Sequence, residues 1–572
     1  MYRDSFDFRD EEIGLYSAEA GFGFVTEEHR RGDELLGIAE LGVGFDVPYW
    51  YCNEKVTRIL RDEQGCYVDS GETVQRVDAA ADRLIPLCFR ADVREPGNYE
   101  VELVLYGAGE ICVFAGPRRL AFREIAEKEG AVTCSFLLNV CDIIPRGKSD
   151  RYERRSIDIA VVGRQVRLSA MNFRPVSCPT LYIAGDSTVT DQTAEYPYAP
   201  GTSYAGWGQM IGCYLPRGIA VSNHAHSGLT VESFREEGHY AILRDYIKPG
   251  DYLMLQFGHN DQKLMHLQAR GGYRDGLAAY VEEARERGAY PIIITPLARN
   301  SWKADDGSYN DLLEKYAEAC MELGHQYHVP VIDLHGRSME FVTGKGLENA
   351  KAYFYPRDFT HTNDYGAYRM AGFIVRDYLE QVWSGAYRHL AQLMTERSDT
   401  WEGEAVLPTV PERYRDVPRP DSDIPLFAGL DRPKEPLTRA EALDMVIKAA
   451  RFFPINVFND LFEDIVGHEW YAGTVECAHQ NGIILPQMLS GNRLEPEKTV
   501  TTEEFLAMVM RGYSSRKKLP KDKPCVFDAV SQLYCIPYVR AACALGVIED
   551  SEDIREIITR EHAAEICRAL NI

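Results

Sequence analysis

None of the apolar runs in this chain approaches the roughly 20 residues that a membrane-spanning helix requires. Its first residues, MYRDSFDFRDEE, hold neither a basic stretch nor an apolar core of the signal-peptide kind. A cytoplasmic location is therefore expected, with secretion or surface display as the alternative if an export signal has been removed. Positive charge is scarce: 63 Lys and Arg stand against 87 Asp and Glu, a formal charge of −24. That balance excludes nucleic acid and anionic membranes as partners, because phosphate binding needs clustered cations. Fourteen cysteines are present but no C-x-x-C pair, which removes the usual signatures of a zinc ribbon or a dithiol redox site. Many lie in strand-like runs such as EICVFAG and VTCSFLL, the setting of buried free thiols in a reducing compartment.

What is there is enough for several cores. At 572 residues, 45% hydrophobic and 11% aromatic, the chain is globular and too long for one ordinary domain. Residues 1–176 read as short apolar runs broken by turn residues: LIPLCFRADV, EPGN, YEVELVLYG, EICVFAG, SIDIAVVG. This grammar predicts a β-sandwich, either a sugar-binding or a packing module. Residues 177–382 switch to strand–helix alternation, with LYIAGDS, IAVSNHA, DYLMLQFG, YPIIITPL and VPVIDLH as buried strands. That pattern predicts an α/β three-layer domain with a parallel sheet, whose ligands sit beyond the carboxyl ends of the strands. Residues 383–435, rich in Pro and charge as in LPTVPERYRDVPRPDSDIP, read as a linker. From 436 to 572, LTRAEALDMVIKAA, VTTEEFLAMVMRG and ITREHAAEICRAL recur with Thr438, Thr501 and Thr559 at expected helix starts, which predicts helical repeats.

The strand ends carry the chemistry. In LYIAGDSTVTDQ the Gly185-Asp186-Ser187 step is either a turn with a capping serine or a nucleophile at the end of a buried strand. Ser187 needs a base, and PRDFTHTNDYGA places Asp358 three residues before His361. A carboxylate so placed can accept Nδ1–H and leave Nε2 to take the serine proton. VSNHAHSGLT offers Gly228, whose amide can approach a ligand closely, and LMLQFGHNDQ offers Asn260, whose side chain can donate to an oxyanion. Each piece also has a mundane reading as turn, hinge or surface histidine. Together they occupy four successive strand ends in one order.

These blocks resemble the SGNH, or GDSL, hydrolases. AGDSTVTDQ, GWGQMI, NHAHSG, KPGDYLMLQFGHNDQK and DFTHTNDYGA are more specifically similar to the rhamnogalacturonan acetylesterase family of carbohydrate esterases, across roughly 179–380. Members with a preceding sandwich carry a phrase like EPGNYEVELVLYG followed by RRL, here Arg118-Arg119-Leu120, and the first segment is then galactose-binding-like. The C-terminal segment resembles S-layer homology repeats, although Thr501-Thr502 replaces the Thr-Arg pair of 438–439 and 559–560. The resemblance implies Ser187, His361 and Asp358 as catalytic residues, with the Ser187 and Gly228 amides and the Asn260 side chain as oxyanion hole. It implies no cofactor and no metal. His259 and Asp186 are candidate substrate contacts, His259 being alternatively a buttress for its loop. Asp191 and Gln192 are expected to tie the nucleophile turn to the sheet, and Trp207 to lie in the core. At block two, Leu229 and Thr230 stand where members often have an arginine and a small hydroxyl residue.

The expected substrate is an acetylated plant cell-wall glycan, rhamnogalacturonan (pectin) first and acetyl-xylan oligosaccharides second. A galacturonate backbone would need basic residues such as Arg299, Arg357 or Lys263 near the cleft. The third alternative is a glycan- or wall-binding protein with a relic hydrolase domain. Residues 436–572 would bind wall polymer or another copy of the chain.

Overall fold

In the computed structural model the described residues are 2–10, 13–25, 30–31, 34–35, 50–52, 59–68, 84–145, 149–196, 198–302, 308–355, 358–402, 432–450, 452, 462, 464–465, 469–491, 493–514, 517–521 and 523–570. They fall into two compact units, the larger holding the strands and the smaller the C-terminal helices.

Five parallel strands lie at the heart of the larger unit, and each is one of the apolar runs read from the sequence. They are β1 (Thr180–Gly185), β2 (Ala220–Asn223), β3 (Tyr252–Gln256), β4 (Tyr290–Ile294) and β5 (Val331–Ile332), in the spatial order β2-β1-β3-β4-β5. Every residue of β1, β2 and β3 is buried, because helices such as Arg274–Glu286, Glu314–Tyr327 and Asp364–Glu380 accompany the sheet. The strand order reverses at β1, and such switch points are where open α/β sheets place their ligands. Trp207 is buried, its Nε1 donating to Gln256 Oε1 at 2.8 Å, as expected of a core residue.

Residues upstream of β1 build an antiparallel sheet around one long hairpin, Gly97–Ala115 with Arg119–Val140. One end of the hairpin pairs with Arg167–Val176, the other with Ser156–Gly163, which continues to Leu87–Asp92 and Phe22–Val25. Both branches bury their apolar residues in one cluster that includes Phe89, Val101, Leu103, Val113, Ile159 and Met171. The segment expected as a separate sandwich is joined to the α/β segment: Leu138 pairs in parallel with Val221 of β2, so the two share one sheet.

The linker expected over 383–435 begins later than its composition suggests. Gly385–Leu393 is a helix that buries Leu390. Beyond it the chain stays anchored: the Thr395 amide donates to Tyr214 O at 2.8 Å, and Trp401 packs edge-on against Tyr365 and Tyr368. The Pro-rich part, 403–431, lies outside the described residues.

In the smaller unit three helices, Arg439–Ala449, Thr502–Ser514 and Arg560–Leu570, begin immediately after the repeated threonines. Thr438 and Glu441 form a full capping box, Thr501 and Glu504 exchange the same two bonds, and Thr559 Oγ accepts the His562 amide. A Ser/Thr cap of this kind satisfies amides that a helix start leaves unpaired. Short bridges link these starts: Thr438 with Thr499, Thr501 with Ile557, Pro436 with Thr559. No described helix is long and apolar enough to cross a membrane.

Candidate active site

The turn after β1 folds onto its own aspartate. Asp186 Oδ1 accepts the Thr188 amide at 2.9 Å and the Thr188 hydroxyl at 2.7 Å, while the Val189 and Thr190 amides both donate to Asp186 O at 3.1 Å. The chain needs a glycine nearby to pass close to this turn. A Cβ on Gly206 would come within 2.3 Å of Val189 C, which explains the first glycine of GWGQ. Gln192 Nε2 donates to Ser187 O at 2.8 Å, and Asp191 accepts Asn223 Nδ2 at 2.9 Å. Both residues therefore tie down the turn, as the sequence suggested.

The Ser187 hydroxyl is left at the open end of the sheet, 9% exposed, with its Oγ 2.8 Å from His361 Nε2. The loop of His361 is fixed on both sides. Tyr355 N donates to His361 O, Thr362 Oγ donates to Ala205 O, and Asn363 caps the helix Asp364–Glu380 by accepting the Gly366 amide. Tyr204 meets the imidazole edge-to-face and stacks on Tyr355 with centroids 3.5 Å apart, an aromatic pair beside His361 that sequence reading did not foresee. Asp358 is buried and its Oδ1 accepts the Thr360 amide at 2.7 Å.

Gly228 follows β2 with φ of 84°, a left-handed conformation that favours glycine. Its loop is laced to β1, since the His224 and His226 amides donate to Ile183 O and Gly185 O. Asn260 Nδ2 donates to Leu229 O at 3.0 Å, which joins the third strand end to the residue beside Gly228. An amide has two N–H donors, and this bond uses one. Lys263 Nζ donates to Asn260 Oδ1, which puts one of the three anticipated basic residues by the site. Arg299 is instead buried with Nη2 on His259 O, and Arg357 lies outside the described residues.

His259 and Asp186 are not placed to touch substrate. They are 2% and 0% exposed, and they face each other, His259 Nδ1 3.3 Å from Asp186 Oδ2, with His259 Nε2 against Leu297 O at 2.9 Å. Each turned inward because its polar atoms found partners there. Burial raises the Asp186 carboxyl, but His259 and the Thr188 donors outweigh it and hold it below the ordinary carboxylate range.

Asp261, beside Asn260, is also internal. Its two oxygens accept the Val231 and Gly258 amides, and burial pushes its pKa up to about 7. A carboxyl raised in the folded state binds its proton where the unfolded chain has lost it. Its contribution to stability is therefore greatest at and below the unfolded value and falls as pH rises towards 7. Asp261→Asn sets an amide N–H against a backbone N–H and is expected to be less stable than the parent throughout. Denaturant titration should show that gap narrowing between about pH 4 and pH 7 as the parent loses its advantage.

Beyond the expected residues, the structure adds a pair from outside the strand ends. Arg118 and Arg119, at the tip of the long hairpin, are buried under the nucleophile turn. Their signal in the sequence was the Arg118-Arg119-Leu120 phrase of the family resemblance, which names no partners.

A serine whose hydroxyl meets an imidazole at the switch point of a parallel sheet is an arrangement that a serine hydrolase can use. Residues 183–369 match the GDSL-like lipase/acylhydrolase family. Over 204 residues the chain is 36% identical to a Bacillus subtilis protein named probable rhamnogalacturonan acetylesterase YesY, covering 34% of this chain and 90% of that one. Over 205 residues it is 35% identical to rhamnogalacturonan acetylesterase RhgT of the same organism, covering 33% and 85%. Among solved structures, that of the B. subtilis protein YxiM aligns with 66% of this chain and 98% of its own at 23% identity and a TM-score of 0.36. The chain belongs to the GDSL-like lipase/acylhydrolase family and is a carboxylic ester hydrolase.

Proposed function

We propose that the chain removes acetyl groups from an acetylated carbohydrate, and that acetylated rhamnogalacturonan or its oligosaccharides is the substrate. The observation that carries this reading is the 2.8 Å contact between Ser187 Oγ and His361 Nε2. Ser187 attacks the acetyl carbonyl as His361 takes its proton. His361 then returns that proton to the sugar oxygen as the C–O bond breaks, which leaves acetyl-Ser187. Water, deprotonated by His361, releases acetate and restores the serine. Asp358, buried three residues before His361 in the chain, orients the imidazole and stabilises its charged form. The oxyanion is held by the Ser187 and Gly228 amides and by Asn260, whose side chain is fixed on Leu229 O.

The names of the relatives support an acetylated glycan, and Lys263 beside Asn260 offers one cation to a galacturonate chain. The net charge of −24 favours a second reading, an uncharged acetylated glycan such as acetyl-xylan oligosaccharides. Acetate release measured on defined acetylated pectic and xylan oligosaccharides separates the two: release from pectic fragments alone supports the first, and release from xylan alone overturns it. Asn260→Ala is expected to lower kcat on any accepted ester by about 10²–10³ with little change in KM, the usual consequence of losing one oxyanion donor.

A further inference from the structure

We propose that Arg118 and Arg119 are positioning residues for catalysis. Arg119 sets the spacing of the oxyanion donors and Arg118 sets the register of Ser187 against His361. The proposal rests on the reading of Ser187, His361 and the Gly228 loop given above. Both arginines lie outside residues 183–369, the span that matches the hydrolase family. They reach the site because the Gly97–Ala115 and Arg119–Val140 hairpin turns directly beneath it.

Each arginine spans two elements that must hold a fixed distance. Arg119 Nε donates to Asp191 Oδ2 at 2.7 Å, in the nucleophile turn. Its Nη1 and Nη2 donate to Val221 O and Asn223 O, at the end of β2, at 2.9 and 3.1 Å. Asn223 closes the same circuit, its Nδ2 donating to Val189 O and Asp191 Oδ1. The loop that leaves Asn223 runs to Gly228. Arg119 thus locks the turn carrying the Ser187 amide to the strand end carrying the Gly228 amide.

Arg118 does the same in another direction. Its Nε donates to Gln192 O at 2.8 Å, and Gln192 in turn holds Ser187 O. Its Nη1 donates to Asp364 Oδ1 at 2.8 Å, at the start of the helix that follows His361, and its Nη2 donates to Tyr204 O. Tyr204 is the residue whose ring meets His361. Arg118 thus locks the nucleophile turn to the segment carrying the base.

Two features separate this arrangement from ordinary packing. Arg118 adopts φ of 62°, which costs a non-glycine residue energy and persists only where surroundings over-determine it. Moreover, arginine spreads its donors over three nitrogens of a planar fork, so Arg119 reaches a carboxylate and two carbonyls that lysine would have to serve from a single nitrogen.

The test uses the full chain and 4-nitrophenyl acetate. Arg119→Lys keeps a charge beside Asp191, and Arg119→Gln/Asp191→Asn removes the ion pair as a unit, so each controls for a misfolded single variant. With circular dichroism unchanged, both are expected to lower kcat by about 100-fold, the scale of an ångström of misplacement, with KM little changed. Adding Asn260→Ala to Arg119→Lys should cost much less than Asn260→Ala does alone, because both act on one oxyanion site. Arg118→Gln/Asp364→Asn should instead shift the pH profile of kcat/KM, which the Arg119 variants leave in place. Folded variants with kcat within about threefold of the parent, or an Asn260→Ala effect that simply adds to that of Arg119→Lys, would overturn the proposal. A parent enzyme that releases no acetate, or an active Ser187→Ala, sinks the underlying reading instead.

Discussion

Ser187→Ala is expected to reduce acetate release by a factor on the order of 10⁶, the scale at which a serine nucleophile is lost in other serine hydrolases. The substitution removes one hydroxyl whose contact is His361, from a side chain that is 9% exposed. The turn itself is held by other atoms: Asp186 on Thr188, Gln192 on Ser187 O, Asp191 on Asn223. Thermal unfolding should therefore match the parent while turnover disappears. KM, where it can be measured, should change little, because the proposed oxyanion donors Gly228 and Asn260 are untouched. Any variant that keeps full activity would leave the 2.8 Å contact without a chemical role.

Much of this site could be read before the fold was known, for a physical reason. Ser187, Gly228 and Asn260 each lie in the segment after a largely apolar run, and in a doubly wound sheet such runs end on the same edge. Local sequence was thus enough to assign them to one edge of the sheet. Other residues failed this logic. Asp186 and His259 stand at the same strand ends and looked equally available, but burial there is decided by which neighbours their polar atoms meet. For His259 that neighbour is Leu297 O, 38 residues away. Arg118 and Arg119 were visible as a family phrase, yet nothing near them names Val221, Asn223 or Asp364 as partners. The helix Gly385–Leu393 was lost in the Pro-rich stretch after it, since one buried leucine makes a faint amphipathic signal. The repeated threonines were legible because a cap is a local device, settled within three residues.

His361→Ala is expected to lower kcat as severely as Ser187→Ala, and the double variant Ser187→Ala/His361→Ala no further. A hydroxyl at neutral pH is a poor nucleophile, so Ser187 depends on a base that accepts its proton during attack. His361 has that position through Nε2, and its loop is anchored by Tyr355 N, by Thr362 on Ala205 and by the Asn363 cap. None of these anchors uses the imidazole. Loss of the ring should therefore leave the helix Asp364–Glu380 in place, and circular dichroism should confirm it. The two residues form one proton-transfer unit, and removing either disables both, so their losses are not additive. Whatever rate over water survives in the double variant comes from the oxyanion donors and substrate binding, on the order of 10³. Adding Asn260→Ala should remove most of that remainder. If instead the Ser187 and His361 losses multiply, the residues act in separate steps, and the base for Ser187 must be sought elsewhere in the cleft.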